Sequence, residues 1–147
     1  MKSIGELLAA KDRGPVITTP PDTTVFEAVT CMVKNNIGAI LICDGEEIRG
    51  IMTERDYLRF VTDQGRTARN TPVSDLMTAK IVFVTPEAQL SDVGALMTEC
   101  RIRHVPVMDQ GKLVGIVSIG DVVKQISRDR KARIRHLEEY ISDTYPR

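Results

Sequence analysis

Between Val25 and Val33 the apolar residues Val25, Ala28, Val29, Met32 and Val33 recur at i, i+3, i+4, i+7 and i+8, one face of a helix. A continuous apolar run, "AILIC" from Ala39 to Cys43, follows and predicts a strand. Turn residues Asp44 and Gly45 come next, then the second strand "EIRGIMT", with another helix expected to begin near Asp56. Ahead of them all, "VITT" at 16–19 predicts a short strand that leads through proline into the first helix. The order is β-α-β-β-α.

Displaced by 65 residues, the same pattern returns without a gap from Pro15 to Ile126. Val16-Ile17 falls on Ile81-Val82, Pro21 on Pro86, Met32 on Met97, Asp44 on Asp109, Gly50-Ile51 on Gly115-Ile116 and Asp56 on Asp121. The second copy supplies the strands "IVFV", "HVPVM" and "KLVGIVS", a turn at Asp109-Gln110-Gly111, and a helix from near Asp121. A unit present only twice suggests pseudo-two-fold pairing and not an extended stack. The expected fold is therefore α/β (α+β), with two β-α-β-β-α repeats that share a core, since neither copy buries much alone. Repeat 1 is expected over 1–61, a polar linker over 62–72, repeat 2 over 73–126 and a helical tail over 127–147.

With 4% aromatic residues and no Trp, Ile, Val, Leu and Met must fill the core. Twenty basic residues balance twenty acidic ones, which argues against nucleic acid as a bulk partner. The start, "MKSIGELLAAKDRG", is too short in apolar residues for a signal peptide, and no run approaches membrane-spanning length. Cys31, Cys43 and Cys100 lack CxxC spacing and read as buried, reduced thiols, hence a cytoplasmic protein.

The chemistry lies in a heptapeptide written twice, "GIMTERD" from Gly50 and "GIVSIGD" from Gly115. Thr53-x-x-Asp56 and Ser118-x-x-Asp121 each close a strand and open a helix. A capping box explains that spacing: the hydroxyl caps the helix and the acid satisfies an early backbone N–H. A second reading puts a ligand there, with helix N–H groups and the hydroxyl meeting phosphate. The carboxylate, an odd neighbour for phosphate, would grip the vicinal diol of a ribose. That combination describes a nucleotide, and the residues leave both readings open.

The tandem unit, with G-h-h-[ST]-x-x-D closing its second strand, resembles a pair of CBS domains from about Ile4 to Ile126. The prelude "VSDLMT" at Val73–Thr78, faintly echoed by "IGELLA" at Ile4–Ala9, belongs to the resemblance, as does "IRHVPVMDQGKLVGIVSIGDVV". The tail "HLEEYISDTYP" is similar to that of small stand-alone bacterial CBS-pair proteins. The resemblance implies a non-enzymatic sensor that binds AMP, ADP, ATP, NAD, NADH or S-adenosylmethionine in clefts between the repeats, commonly as a homodimer. It also implies that each cleft takes its ribose carboxylate from one repeat and most other contacts from the other. A first cleft then combines Ile51, Thr53, Arg55 and Asp56 with Val82, Arg103 and His104. A second combines Ile116, Ser118 and Asp121 with Ile17, Gly38 and Ala39. Gly120 stands where the first cleft has Arg55, and Gly38-Ala39 where it has Arg103-His104, so the phosphate is expected in the first.

Other chemistry finds little support. Gly115-Ile-Val-Ser118-Ile-Gly120 is no nucleophile elbow, because its first glycine comes one position too early. GxxxxGK and GxGxxG are absent, and two scattered histidines make a metal site improbable. The tail stripe Ile126, Ile134, Leu137 and Ile141, with Arg128, Arg130, Lys131, Arg133 and Arg135 nearby, is expected to cover a partner subunit in preference to nucleic acid. A structural dimerisation module whose two acids merely cap helices is the alternative to a sensor of nucleotides for an unidentified regulated protein.

Overall fold

The computed structural model describes residues 2–10, 15–63 and 65–129. Helix α1 (Ile4–Ala10) is followed by β1 (Thr18–Thr19), α2 (Val25–Asn35), β2 (Ala39–Asp44), β3 (Glu47–Thr53) and α3 (Glu54–Phe60). After 3-10 turns at Ala68–Asn70 and Val73–Asp75 come α4 (Leu90–Cys100), β4 (His104–Asp109), β5 (Lys112–Ser118) and α5 (Ile119–Asp129). The architecture is mixed α+β, and the β-α-β-β-α order is recovered in repeat 1. In repeat 2 the expected strand "IVFV" contracts to one parallel bridge, Val84 to Val107, held by Val84 N–H on the Pro106 carbonyl at 3.0 Å. "VITT" likewise shortens to Thr18–Thr19, paired in parallel with Leu41 and Ile42.

Local sequence explains why the elements stop where they do. Thr24 caps α2 by accepting the Glu27 N–H, and Asn36 ends it in the left-handed region (φ 53°, ψ 49°). The Ile37 N–H then reaches back to the Met32 carbonyl at 3.0 Å. Helix α4 ends the same way, with Arg101 at φ 56° and Ile102 N–H on the Met97 carbonyl at 3.0 Å. The chain repeats its geometry as well as its pattern. Strand β2 is buried on both faces through Ile40, Leu41 and Ile42 and pairs antiparallel with β3, with a bulge between Ile42↔Gly50 and Cys43↔Ile48. Strands β4 and β5 are joined by Gln110 (φ 51°) and Gly111 (φ 79°), a two-residue connection that only an antiparallel pair permits.

The expected shared core resolves into two clusters, one in each of two compact units. One unit contains the described part of residues 15–83 together with 108–115; the other contains 2–10, 84–107 and 116–129. These units are not consecutive blocks of chain. In the second, Ile4 and Leu7 of α1 are buried with Leu90, Val93, Met97, Val105, Val107, Val117 and Val122. Backbone bonds hold that helix in place: Ile4 N–H to the Ala88 carbonyl and Gly5 N–H to the Pro86 carbonyl, both 2.9 Å. In the first, Val73 joins Ala28, Met32, Ile40, Ile42 and Met52, with Leu76 and Met77 packed alongside. Val73 N–H donates to the Thr23 carbonyl at 2.7 Å, and Val25 N–H to the Thr71 carbonyl at 2.8 Å. The prelude to each repeat's sequence thus completes the core built on the other repeat. Each described core is closed by a segment borrowed from the other repeat's sequence.

Two expectations about exposure need correction. Val33, placed on the apolar face of α2, is 76% exposed, because at about 3.6 residues per turn it falls at the margin of the buried stripe Val25, Ala28 and Met32. Cys100 is exposed at the last position of α4, while Cys31 and Cys43 are half-buried; all three are free thiols. The tail beyond Asp129, including the stripe through Ile134, Leu137 and Ile141, lies outside the described residues.

Two glycines respond oppositely to an added methyl group. At Gly50 a Cβ would lie 2.6 and 2.8 Å from Met77 Sδ and Cγ and 2.9 Å from the Thr78 carbonyl oxygen, which is backbone. At Gly94, inside α4, it would meet only Val122 Cγ1 at an ordinary 3.5 Å. Gly50→Ala is expected to destabilise by about 1–3 kcal/mol through overpacking. Gly94→Ala should stabilise by about 0.5–1 kcal/mol through helix propensity. Urea unfolding of both variants checks this, and equal effects of one sign would contradict it.

Candidate functional site

Strand β3 delivers Thr53 to the start of α3 in extended conformation (φ −110°, ψ 168°), and the capping box is complete. Thr53 N–H donates to Asp56 Oδ2 at 2.9 Å and the Thr53 hydroxyl donates to the same oxygen at 3.0 Å. Asp56 N–H donates back to Thr53 Oγ1 at 3.3 Å. The second heptapeptide repeats the pair: Ser118 N–H to Asp121 Oδ2 at 2.9 Å, and Asp121 N–H to Ser118 Oγ at 3.2 Å. Capping is therefore a real function of both acids.

The helix-start N–H groups expected to meet phosphate are mostly occupied. Glu54 N–H donates to the Gly38 carbonyl at 3.1 Å, and Ile119 N–H to the Arg103 carbonyl at 2.8 Å. With the Asp56 and Asp121 amides also engaged, an anion at either helix start would depend on side-chain cations. Arg55 supplies one: it is exposed and makes no ion pair among the described residues.

The two acids differ in access. Asp56 is half-buried, whereas Asp121 is only 5% exposed and has further interactions of its own. Among the described residues Asp56 Oδ1 has one hydrogen-bond contact, the hydroxyl of Thr78 at 3.5 Å, 22 residues away in sequence. Thr78 reaches it because it forms an antiparallel bridge with Ile51, through Ile51 N–H to Thr78 O at 3.0 Å and Thr78 N–H to Ile51 O at 2.8 Å. Gly50, the first residue of the heptapeptide, leaves room for Met77 and Thr78 to lie there. Thr78 was not among the candidate residues; "VSDLMT" was recognisable as a prelude, but nothing in sequence shows which repeat it would pack against.

Of the first expected set, Ile51, Thr53, Arg55, Asp56 and Val82 share one compact unit, with Val82 half-buried after Thr78, while Arg103 and His104 belong to the other unit. Of the second, Ile116, Ser118 and Asp121 share the unit that holds Arg103 and His104, whereas Ile17, Gly38 and Ala39 lie with Asp56. Within its unit Ala39 pairs directly with Thr53 across β2 and β3. His104 and Ile116 each have bonding partners already.

No group of three His, Cys, Asp or Glu residues among the described residues is placed to hold a metal ion. No described helix is long and apolar enough to cross a membrane.

Two strand-to-helix capping boxes, each closing a β-β hairpin within a β-α-β-β-α repeat, define a tandem pair of CBS domains. The CBS domain family model matches residues 5–63 and 73–128, and the chain belongs to that family. It is 38% identical to the mitochondrial CBS domain-containing protein CBSX3 of Arabidopsis thaliana over 97% of this chain and 73% of that protein. The solved structure of a CBS-domain protein from Burkholderia ambifaria MC40-6 has a TM-score of 0.83 and 42% identity, covering 88% of this chain and 96% of that one. A CBS domain protein of Pyrobaculum aerophilum complexed with AMP has a TM-score of 0.71 and 28% identity, covering 81% of this chain and 88% of its own.

Two outcomes follow from this geometry. Thr53→Ala and Ser118→Ala should each cost about 1 kcal/mol of stability in the absence of any nucleotide, read by urea unfolding; no loss in either would deny the caps a stabilising role. Burial pushes the Cys43 thiol above its usual pKa, so less of it is thiolate at mildly alkaline pH. Labelling at pH 8 should therefore modify exposed Cys100 first and Cys43 last, and the reverse order would contradict the placement.

Proposed function

We propose that this CBS pair is a non-enzymatic sensor of adenosine-containing nucleotides, each held by residues drawn from both repeats. The observation that carries the reading is Asp56, whose Oδ2 is committed to the cap while Oδ1 carries a single long contact. A carboxylate offers about four lone pairs, and the cap takes two of them. The two on Oδ1 remain for ribose hydroxyls, one of them once the long Thr78 contact is displaced. The complex of the Pyrobaculum aerophilum relative with AMP supports the ligand class.

In this reading Asp56 grips the ribose, while Ile51 and Val82 offer apolar contact to the base. Arg55, in the same unit, supplies positive charge for phosphate. In the other unit Ser118 and Asp121 repeat the pair with Gly120 in place of the arginine, and Asp121 is buried and otherwise engaged, so binding there is weaker. AMP, ADP, ATP, NAD and NADH all carry the adenosine such a site selects. Regulation follows where a nucleotide favours one arrangement of a homodimer over another, passing the signal to a regulated protein. Free thiols at Cys31, Cys43 and Cys100 suit the reducing cytoplasm. A second reading, an interaction module without ligand, is favoured by one observation: both capping boxes are complete without a nucleotide.

Thermal unfolding of the full chain against AMP, ADP, ATP, NAD, NADH and S-adenosylmethionine separates the two. A ligand at a hundred times its Kd adds about 2.7 kcal/mol, a midpoint shift of roughly 5–10 °C for a chain of this size. The shift should vanish in Asp56→Ala measured against its own unliganded baseline, since that variant also loses its cap. No shift with any nucleotide would leave the interaction module as the function.

A further inference from the structure

We infer that Thr78 is a positioning residue that steers the Asp56 carboxylate toward the orientation required for ribose, an inference that rests on the proposed nucleotide site. The torsion that turns an aspartate carboxylate has broad, weak minima, so one anchored oxygen does not fix the direction of the other. Thr53 holds Oδ2 from the capping side through its N–H and hydroxyl, at 2.9 and 3.0 Å. Thr78 approaches Oδ1 from a different part of the chain, at 3.5 Å. With Oδ2 anchored by Thr53 and Oδ1 facing the Thr78 hydroxyl from a second chain segment, one orientation of the carboxylate plane is favoured.

Thr78 is itself held firmly. Its two backbone bonds to Ile51 are 2.8 and 3.0 Å long, and its carbonyl and the Met77 side chain fill the space that a side chain at Gly50 would need. The long contact is the yielding part. It is close enough to orient Oδ1 and loose enough for a diol hydroxyl to join or displace it.

Calorimetric titration of the full chain with AMP and ATP and their 2′-deoxy counterparts tests this. Wild type should prefer the ribonucleotide by about 10–100-fold, as expected for hydrogen bonding to a charged group. Thr78→Val, which keeps the shape and removes the hydroxyl, should lose most of that preference with its unliganded melting midpoint little changed. Thr78→Ser should restore it, and Thr78→Ala replaces valine if the valine variant does not fold. A wild type that prefers ribose alongside a Thr78→Val protein with the same preference overturns the role of Thr78 alone. A wild type indifferent to the 2′-hydroxyl, or binding neither nucleotide, overturns the ribose site and this inference with it.

Discussion

A β-α-β-β-α repeat of about sixty residues cannot cover its own sheet, because so small a unit buries only about 60% of its unfolded surface. That shortage governs the structure. The core built on repeat 2 closes with Ile4 and Leu7, and the core built on repeat 1 closes with Val73, flanked by Leu76 and Met77. Docking the second prelude on repeat 1 carries Met77 and Thr78 against β3, where any residue larger than glycine at position 50 would collide with them. The borrowed segment that completes the core also brings a hydroxyl to Asp56. Core closure and site construction are one event.

This bears on how the two readings of the heptapeptide relate. A capping box and a ribose grip compete only if they need the same lone pairs. The cap uses Asp56 Oδ2, which accepts both the amide and the hydroxyl of Thr53, and leaves Oδ1 outside it. For the proposed site, capping would serve as preorganisation, since the helix start holds the acid still before a ligand arrives. The occupied amides of Glu54 and Asp56 have the opposite effect on phosphate, since they remove the backbone donors that a helix start would otherwise offer.

Much of the fold was legible because it is local. The runs "AILIC", "EIRGIMT", "HVPVM" and "KLVGIVS" correspond closely to β2–β5, since apolar runs bounded by Gly45 and by Gln110-Gly111 specify hairpins through nearby residues alone. The Thr53–Asp56 box was legible for the same reason, being four residues long. Long-range partners were not legible. "IVFV" has the composition of a strand but meets a partner only at Val84, and Thr78 lies 22 residues from the acid it touches. No periodicity encodes which repeat a prelude will join. The exchange of preludes, Ile4 and Leu7 with the core of repeat 2 and Val73 with that of repeat 1, is a long-range choice of that kind.

The two acids show how identical local chemistry diverges once the surroundings differ. Both accept a backbone N–H at 2.9 Å and both donate their own amide to the capping hydroxyl. Asp121 nevertheless retains only 5% of its exposure, and transferring so enclosed a carboxylate to a ligand would require breaking the interactions that make its burial tolerable. Asp56 keeps partial access to solvent and an exposed arginine as its neighbour in sequence, where Asp121 is preceded by Gly120. A methyl group at Gly120 would meet nothing closer than Ser118 Oγ at 3.5 Å, so sterics do not demand glycine there. The arginine that one heptapeptide carries and the other lacks is therefore not excluded from position 120 by packing.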